Sequence, residues 1–350
     1  MYRLMKIKFT ILILIIGFIT NQTKAQQDPQ FTQFMNNKLF YNPGFAGSTA
    51  GKICVNGTFR TQWVGYGGGN AFVNDATGTN ASPVARGSAP TTQNFGIHGN
   101  IGRFGIGLNI WQDQLGFTST LAPTISLAYI HPFNNGAKLA GGVGIGVIQN
   151  AIDGKQLIAN DPSDPKVPKG NVTGNSLNVD FGLYYTLPQL SIFNDFYFGV
   201  SSLHLNSPLV TLVEDGKSGE FKLQTQRHYY AMTGATYQQV IPNLDLNPNI
   251  IYKTDGTKHS FDFNCLAVYD QKIIGGLTYR TPQEFCVLAG YNFPLGTNSL
   301  NLMYSYDLIT SDIISYSQGS HEITLKYCFG FKFDPKPPKP FFPIKTPRML

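Results

Sequence analysis

From residue 52 to residue 333, apolar side chains alternate with polar or small ones, and no other feature constrains the fold as tightly. Ile53, Val55, Gly57 and Phe59 alternate with Cys54, Asn56, Thr58 and Arg60. Phe104, Ile106, Leu108 and Ile110 alternate with Gly105, Gly107, Asn109 and Trp111, and Val143, Ile145 and Val147 with Gly142, Gly144 and Gly146. The closing segment sets Ile323, Leu325, Tyr327, Phe329 and Phe331 against Glu322, Thr324, Lys326, Cys328 and Gly330. Successive side chains of a strand point to opposite faces, so each segment offers one apolar face and one polar or small face. A soluble sandwich or propeller accepts that pattern, and so does a closed barrel with lipid outside and a polar lumen.

Composition separates the two. Charged residues make up 13% of the chain, about half the usual share, while Phe and Tyr number 26 and 18. A soluble body of this length needs a more charged surface. Membrane helices need apolar runs of about 20 residues, and after residue 25 there are none. No blade-length repeat supports a propeller. The expected fold is therefore all-β: a transmembrane antiparallel β-barrel of an outer membrane.

The first residues agree with export. Arg3, Lys6 and Lys8 precede an apolar run from Phe9 to Ile19, and Thr23-Lys24-Ala25 places small residues where a signal peptidase cuts. Residues 1–25 thus read as a signal peptide, with the mature chain beginning near Gln26 and no lipoprotein cysteine after the cut. Four positive charges fall in that segment, and residues 334–350 carry a net +3, so the overall +6 leaves the body close to neutral. The basic excess sits at the two ends, and no nucleic-acid partner is expected.

Strands are expected near 52–60, 93–102, 104–113, 118–130, 137–152, 176–187, 195–205, 227–240, 244–254, 260–269, 272–281, 284–294, 299–308 and 321–333. That makes about fourteen, an even number as single-chain bacterial barrels have. The long connections, 61–92, 153–175, 206–226 and 309–320, are the first, fifth, seventh and thirteenth. All are odd, so all fall on one side, which is the outside by the usual asymmetry of such barrels. Both termini are then expected in the periplasm. The organisation reads as signal peptide 1–25, N-terminal plug or periplasmic segment 26–51, barrel 52–333, and a Pro/Lys-rich periplasmic tail 334–350.

Residues 26–50 are not strand-like, yet Phe31, Phe34, Leu39, Phe40, Tyr41 and Phe45 need burial, and Pro29 and Pro43 impose turns. Asp28, Pro29, Phe31 and Gln33, followed by Asn42, Pro43, Ala46 and Gly47, resemble the opening signature of the PorP/SprF family, with Thr32 where Ser is commoner. The similarity continues through Arg60-Thr61-Gln62-Trp63, Asp113-Gln114-Leu115-Gly116, Tyr306-Asp307 and Ser320-His321-Glu322-Ile323. The resemblance implies an outer-membrane barrel serving the type IX secretion and gliding machinery of Bacteroidota. It also implies partners: other machinery proteins, and secreted cargo such as the C-terminal region of an adhesin. The Pro-rich tail departs from that pattern.

Asp28, Pro29, Phe31, Gln33, Phe34, Asn42, Pro43, Phe45 and Gly47 are the candidate partner-binding or plug residues. The plug is expected to pack inside, against the glycine faces of strands 104–111 and 141–147, where no side chain intervenes. A second candidate set, Arg60, Asp180, Arg280, Asp307, Glu322 and Lys326, should line the lumen. Buried charges must pair, so an ion network is the plain reading and a pore-selectivity ring the sharper one. The Pro-rich tail reads either as an extended rod that docks on a partner or as an unstructured basic tail.

No catalytic constellation is legible. Gly142, Gly144 and Gly146 recur at a strict two-residue spacing with no helix after them, unlike a nucleotide loop. The six His residues show no ligand spacing, so neither metal nor cofactor is expected. Cys54 and Cys328 face inward on the first and last strands, which suits a seam disulfide if the register allows one. Cys265 faces lipid and Cys286 the lumen. The leading expectation is a non-enzymatic secretion component, with a porin or substrate-specific channel as the alternative.

Overall fold

The computed structural model describes residues 28–49, 51–64, 89–156, 168, 170–214, 220–282, 284–309 and 317–330. The signal segment, most of the first long connection and the Pro-rich tail lie outside the described residues. Strands β1 (Lys52–Thr61), β2 (Thr91–Ile101), β3 (Phe104–Leu115) and β4 (Thr118–Pro132) open the barrel. β5 (Lys138–Asp153), β6 (Asn171–Leu190) and β7 (Phe193–Leu203) continue it. β8 (Leu209–Glu214) and β9 (Glu220–Gln224) form a hairpin. The rest are β10 (His228–Ile241), β11 (Leu244–Thr254), β12 (His259–Tyr269), β13 (Ile273–Arg280), β14 (Glu284–Leu295), β15 (Asn298–Ile309) and β16 (Ser320–Gly330).

Every barrel strand pairs antiparallel with its neighbours in the chain, β7 passing over the hairpin to β10, and β1 pairs with β16. Fourteen strands close on themselves. Closure is what lipid demands, because an open edge would leave backbone N–H and C=O groups with no partner. Among the described residues no helix is long and apolar enough to cross a membrane, and the strands do the crossing. The outward positions are apolar: Ile106, Ile125, Leu127, Ile145, Leu277 and Leu325 are all exposed. Exposed rings stand at both rims, Phe104, Tyr129 and Tyr269 by the short turns and Phe261 and Phe285 by the long connections. That is the layout of an apolar band between aromatic girdles.

All fourteen expected strands are present, and all four long connections leave from the same rim. One expectation fails inside the seventh connection, which the alternation reading treats as loop. β8 and β9 lie there, and β8 pairs with the outer end of β6 through Val172↔Glu214 and Thr173↔Val213. Val210 and Leu212 are buried there against Val172. Leu209-Val210-Thr211-Leu212-Val213 is a β-branched run whose strand signal was legible, and the length of the connection obscured it.

The seam is in register. Cys54 lies opposite Cys328, as Arg60 lies opposite Glu322, and the two cysteines form a disulfide with an S–S distance of 2.08 Å. Cys265 is exposed and free, and Cys286 is buried and free. The bridge joins the first and last strands across 274 residues of sequence, so it holds the cylinder closed where chain connectivity does not. Alkylation of denatured protein without reductant should label two thiols, rising to four after reduction. Four thiols in the unreduced protein would show an open seam.

Candidate functional site

The chain before β1 does not approach the barrel from below. It runs down its bore. Gln33 and Phe34 carbonyls accept the amides of Asn36 and Asn37, making a tight turn. One helical turn, α1 (Lys38–Tyr41), follows. At Pro43–Phe45 a 3-10 turn begins, with the Asn42 Oδ1 accepting the Gly44 N–H at 2.8 Å. Gly47 has φ +70°, a conformation that favours glycine. Phe31, Phe34 and Tyr41 are fully buried, and Phe40 and Phe45 nearly so. Phe31, Phe40 and Tyr41 meet edge to face, and Phe40 reaches Trp111 of β3 while Tyr41 reaches Tyr230 of β10. Each buried ring contributes about 1.5–3 kcal/mol.

Glycines on the wall make room for it. A Cβ on Gly105 would overlap the Ala46 carbonyl, and one on Gly142 would overlap Pro43 and Gly44. Gly107 faces Leu39. Gly144 and Gly146 instead meet Asp180, Thr124 and Pro123 of neighbouring strands, so only part of the 141–147 glycine face serves the plug. Asn42 donates to the Leu183 and Val200 carbonyls, and Asn37 Oδ1 accepts from Asn56, Thr58 and Asn94. Polar side chains on the inward faces thus satisfy a segment that has few backbone partners of its own.

Charge fastens the plug at the long-connection end. Arg60 pairs with Asp307 at 2.7 Å and with Glu322 at 3.1 Å. Glu322 spends both oxygens on the plug, accepting the Thr32 amide at 2.8 Å and the Gln33 amide at 2.9 Å. The Thr32 hydroxyl donates to Asp307 and accepts from Arg60. Arg280 extends the cluster to Asp262 and Glu284, and Lys253 joins at Asp262. Every group in it is buried except Glu284, which is half-buried. Such a cluster is tolerable only because nearly every charge has an opposite within hydrogen-bond reach.

Two members of the expected lumen set do not belong to this cluster. Lys326 faces inward nearer the short turns and makes no ion pair among the described residues. Asp180 lies across the bore. It accepts the His204 amide and the Asn178 side chain. Asp262 and Lys253 were missed although alternation puts both on inward faces. Thr32 and the plug amides were missed because hydrogen bonds to a non-strand segment leave no periodic signal.

Around Asp28 a second fastening point forms. His204 Nε2 lies 2.9 Å from Asp28 Oδ1, and Tyr230 donates to Oδ2 at 2.9 Å. His228 presents both ring nitrogens to the same residue: Nε2 accepts the Asp28 amide at 3.4 Å, and Nδ1 is 3.6 Å from Oδ2. Burial opposes ionisation of Asp28, but His204, His228 and Tyr230 outweigh it and hold the carboxyl well below the usual carboxylate range. His204 directly follows β7 and His228 begins β10, so both mark the long-connection rim. Asp28 is therefore at the opposite end of the bore from Lys52. The expectation that the N-terminal end lies in the periplasm with the C-terminal end is corrected here. Strand parity fixes where β1 starts, and the preceding segment doubles back through the lumen.

The family described as type IX secretion system membrane protein PorP/SprF matches residues 23–327. The chain belongs to this family. A search of curated proteins finds no match. Among solved structures, a deletion mutant of the TodX monoaromatic hydrocarbon channel superposes with a TM-score of 0.50 at 10% identity, covering 85% of this chain and 94% of that one. A Pseudomonas aeruginosa FadL homologue gives 0.48 at 12% identity, covering 85% and 94%. The translocator domain of the autotransporter NalP from Neisseria meningitidis gives 0.42 at 12%, covering 85% and 95%. At 10% identity the TodX superposition shows the barrel fold alone and nothing of cargo or ligand. In this PorP/SprF protein the family-signature residues Asp28, Phe31, Gln33, Asn42, Pro43 and Gly47 all touch the barrel wall or the plug core.

The network predicts a cost for breaking it. Glu322→Ala removes one of the two carboxylates on Arg60 and leaves two buried plug amides without an acceptor, and should lower stability to urea in detergent by about 3–5 kcal/mol. Unfolding is followed by the shift between folded and unfolded gel mobility. A loss below about 1 kcal/mol would mean that the plug is held by its rings alone.

Proposed function

We propose that this protein works without catalysis, as an occluded outer-membrane barrel of type IX secretion that grips a secreted partner and helps export or anchor it. In this reading the partner is the C-terminal region of a secreted protein such as a gliding adhesin. It meets the rim of long connections, where the β8–β9 hairpin exposes Leu209 and Val213. The rim of short turns faces the periplasmic machinery. Family membership supports the secretion role.

The observation that carries the reading is the filled bore. A porin conducts because its lumen is open and wet. Here residues 28–49 occupy it from rim to rim, with Phe31, Phe34 and Tyr41 wholly buried and Glu322 bound to the plug backbone. A barrel closed in this way acts through its surfaces. Purified protein in planar bilayers should show no steady conductance, and deletion of residues 28–45 should open it. In cells, loss of the gene should remove a defined secreted protein from the surface while leaving small-solute uptake unchanged. Steady conductance of the intact protein, with normal surface proteins in the deletion strain, would favour the channel reading.

A further inference from the structure

We propose that Asp28, His204 and His228 form a binding site for a divalent transition-metal ion, zinc or a close relative, that pins the leading end of the plug to β7 and β10. The donor atoms of the three side chains lie within 4.8 Å of one another and all three residues are buried. They come from three separate elements: the first described plug residue, the residue after β7, and the first residue of β10. Small rotamer adjustments bring such a set to the roughly 2.0–2.2 Å that zinc requires of nitrogen and carboxylate ligands.

Each ligand already has the outer partner that metal ligands need. Asn178 donates its Nδ2 to both Asp180 oxygens, which leaves its Oδ1 as an acceptor facing His204 Nδ1 at 2.7 Å. The Nδ1 therefore carries a hydrogen, and Nε2 lies 2.9 Å from Asp28 Oδ1, a contact that is bridged by a proton when no metal is bound. A lone pair facing a carboxylate needs a cation between them, a proton or a metal. Tyr230 holds the other Asp28 oxygen. His228 Nδ1 faces the Gln226 carbonyl at 3.1 Å, which leaves Nε2 as its ligand atom once the long contact from the Asp28 amide yields. Amide–histidine and tyrosine–carboxylate outer contacts fix tautomers and orientation around bound metals. Two imidazoles with one carboxylate select zinc, copper, nickel or cobalt over calcium or magnesium.

An access path exists. A cavity of about 230 Å³ opens beside the cluster, lined by Asp28, His228, Tyr230, Lys253 and His259 among others. In the proposed site, water from this cavity would complete the tetrahedral set.

The test uses mature full-length protein in detergent, purified without a polyhistidine tag, loaded with zinc chloride and dialysed. Elemental analysis should find one zinc per chain, removable by chelator, and cobalt should give the visible absorption of a tetrahedral site. Asp28→Asn, His204→Gln and His228→Gln should each weaken zinc retention by at least about tenfold. His259→Gln, beside the same cavity but outside the ligand set, should bind as wild type. Folding of each variant is checked by its gel mobility unboiled and boiled. Wild-type protein that keeps less than about a fifth of an equivalent would overturn the site, as would equal retention by wild type and all three ligand variants. If a variant fails to fold, the wild-type stoichiometry and cobalt spectrum still decide.

Discussion

Lipid offers no hydrogen bonds, and the rest of this structure follows from that one fact. A strand that crosses it must have a partner on each side along its whole length, so fourteen strands have to close into a ring. Once closed, the ring leaves a bore whose wall is made of every second residue. The wall residues are free to be polar, small or aromatic, because only the outward ones are committed to the membrane. The bore is then too wide to fill with side chains from the wall alone, and the chain supplies a filler from its own beginning.

The filler creates a second problem of the same kind. Residues 28–49 include just one α-helical turn and one 3-10 turn, so many of their backbone groups lack regular partners. The wall answers with side chains at fixed heights. Glu322 takes the amides of Thr32 and Gln33, Asn42 caps its own turn while reaching two carbonyls of β6 and β7, and Ser201 donates to the Tyr41 carbonyl. The charges that do this are themselves buried, which requires Arg60 and Arg280 to answer Asp307, Glu322 and Asp262. The ion cluster is thus a consequence of plugging a barrel with non-strand backbone. A selectivity ring would need solvent on one side of those charges, and here the plug lies on it.

What could be read in advance follows from periodicity. Strand positions, lipid and lumen faces, the side of the long connections and the opposite orientations of Cys265 and Cys286 all repeat every two residues, so a short window carries them. Arg60, Asp307, Glu322 and Arg280 were visible as inward charges for the same reason. Contacts set by closure were not visible. The pairing of Cys54 with Cys328 depends on a register summed around the ring. His204 and His228 are separated by a long connection with its own hairpin, and they meet only because β7 and β10 are neighbours. Asp28 joins them because the plug runs the full height of the bore, which no local pattern records.

The two fastening points differ in chemistry, and the difference bears on how such a plug could be moved. The Arg60–Asp307–Glu322 cluster is shielded from solvent by the plug it holds, so it can be broken only together with the ring packing of Phe31, Phe40 and Tyr41. The Asp28 cluster lies at the rim, where Asp28, His228 and Tyr230 line a cavity. A partner arriving at the long connections therefore meets the cavity that Asp28 and His228 border. Release that starts at Asp28 would free Pro29 and Gln30 before Arg60, Asp307 and Glu322 lose their partners, which gives the plug a direction in which to peel. The glycine contacts at Gly105 and Gly142, far down the bore, would be the last to part, so a plug loosened from outside stays tethered to β1.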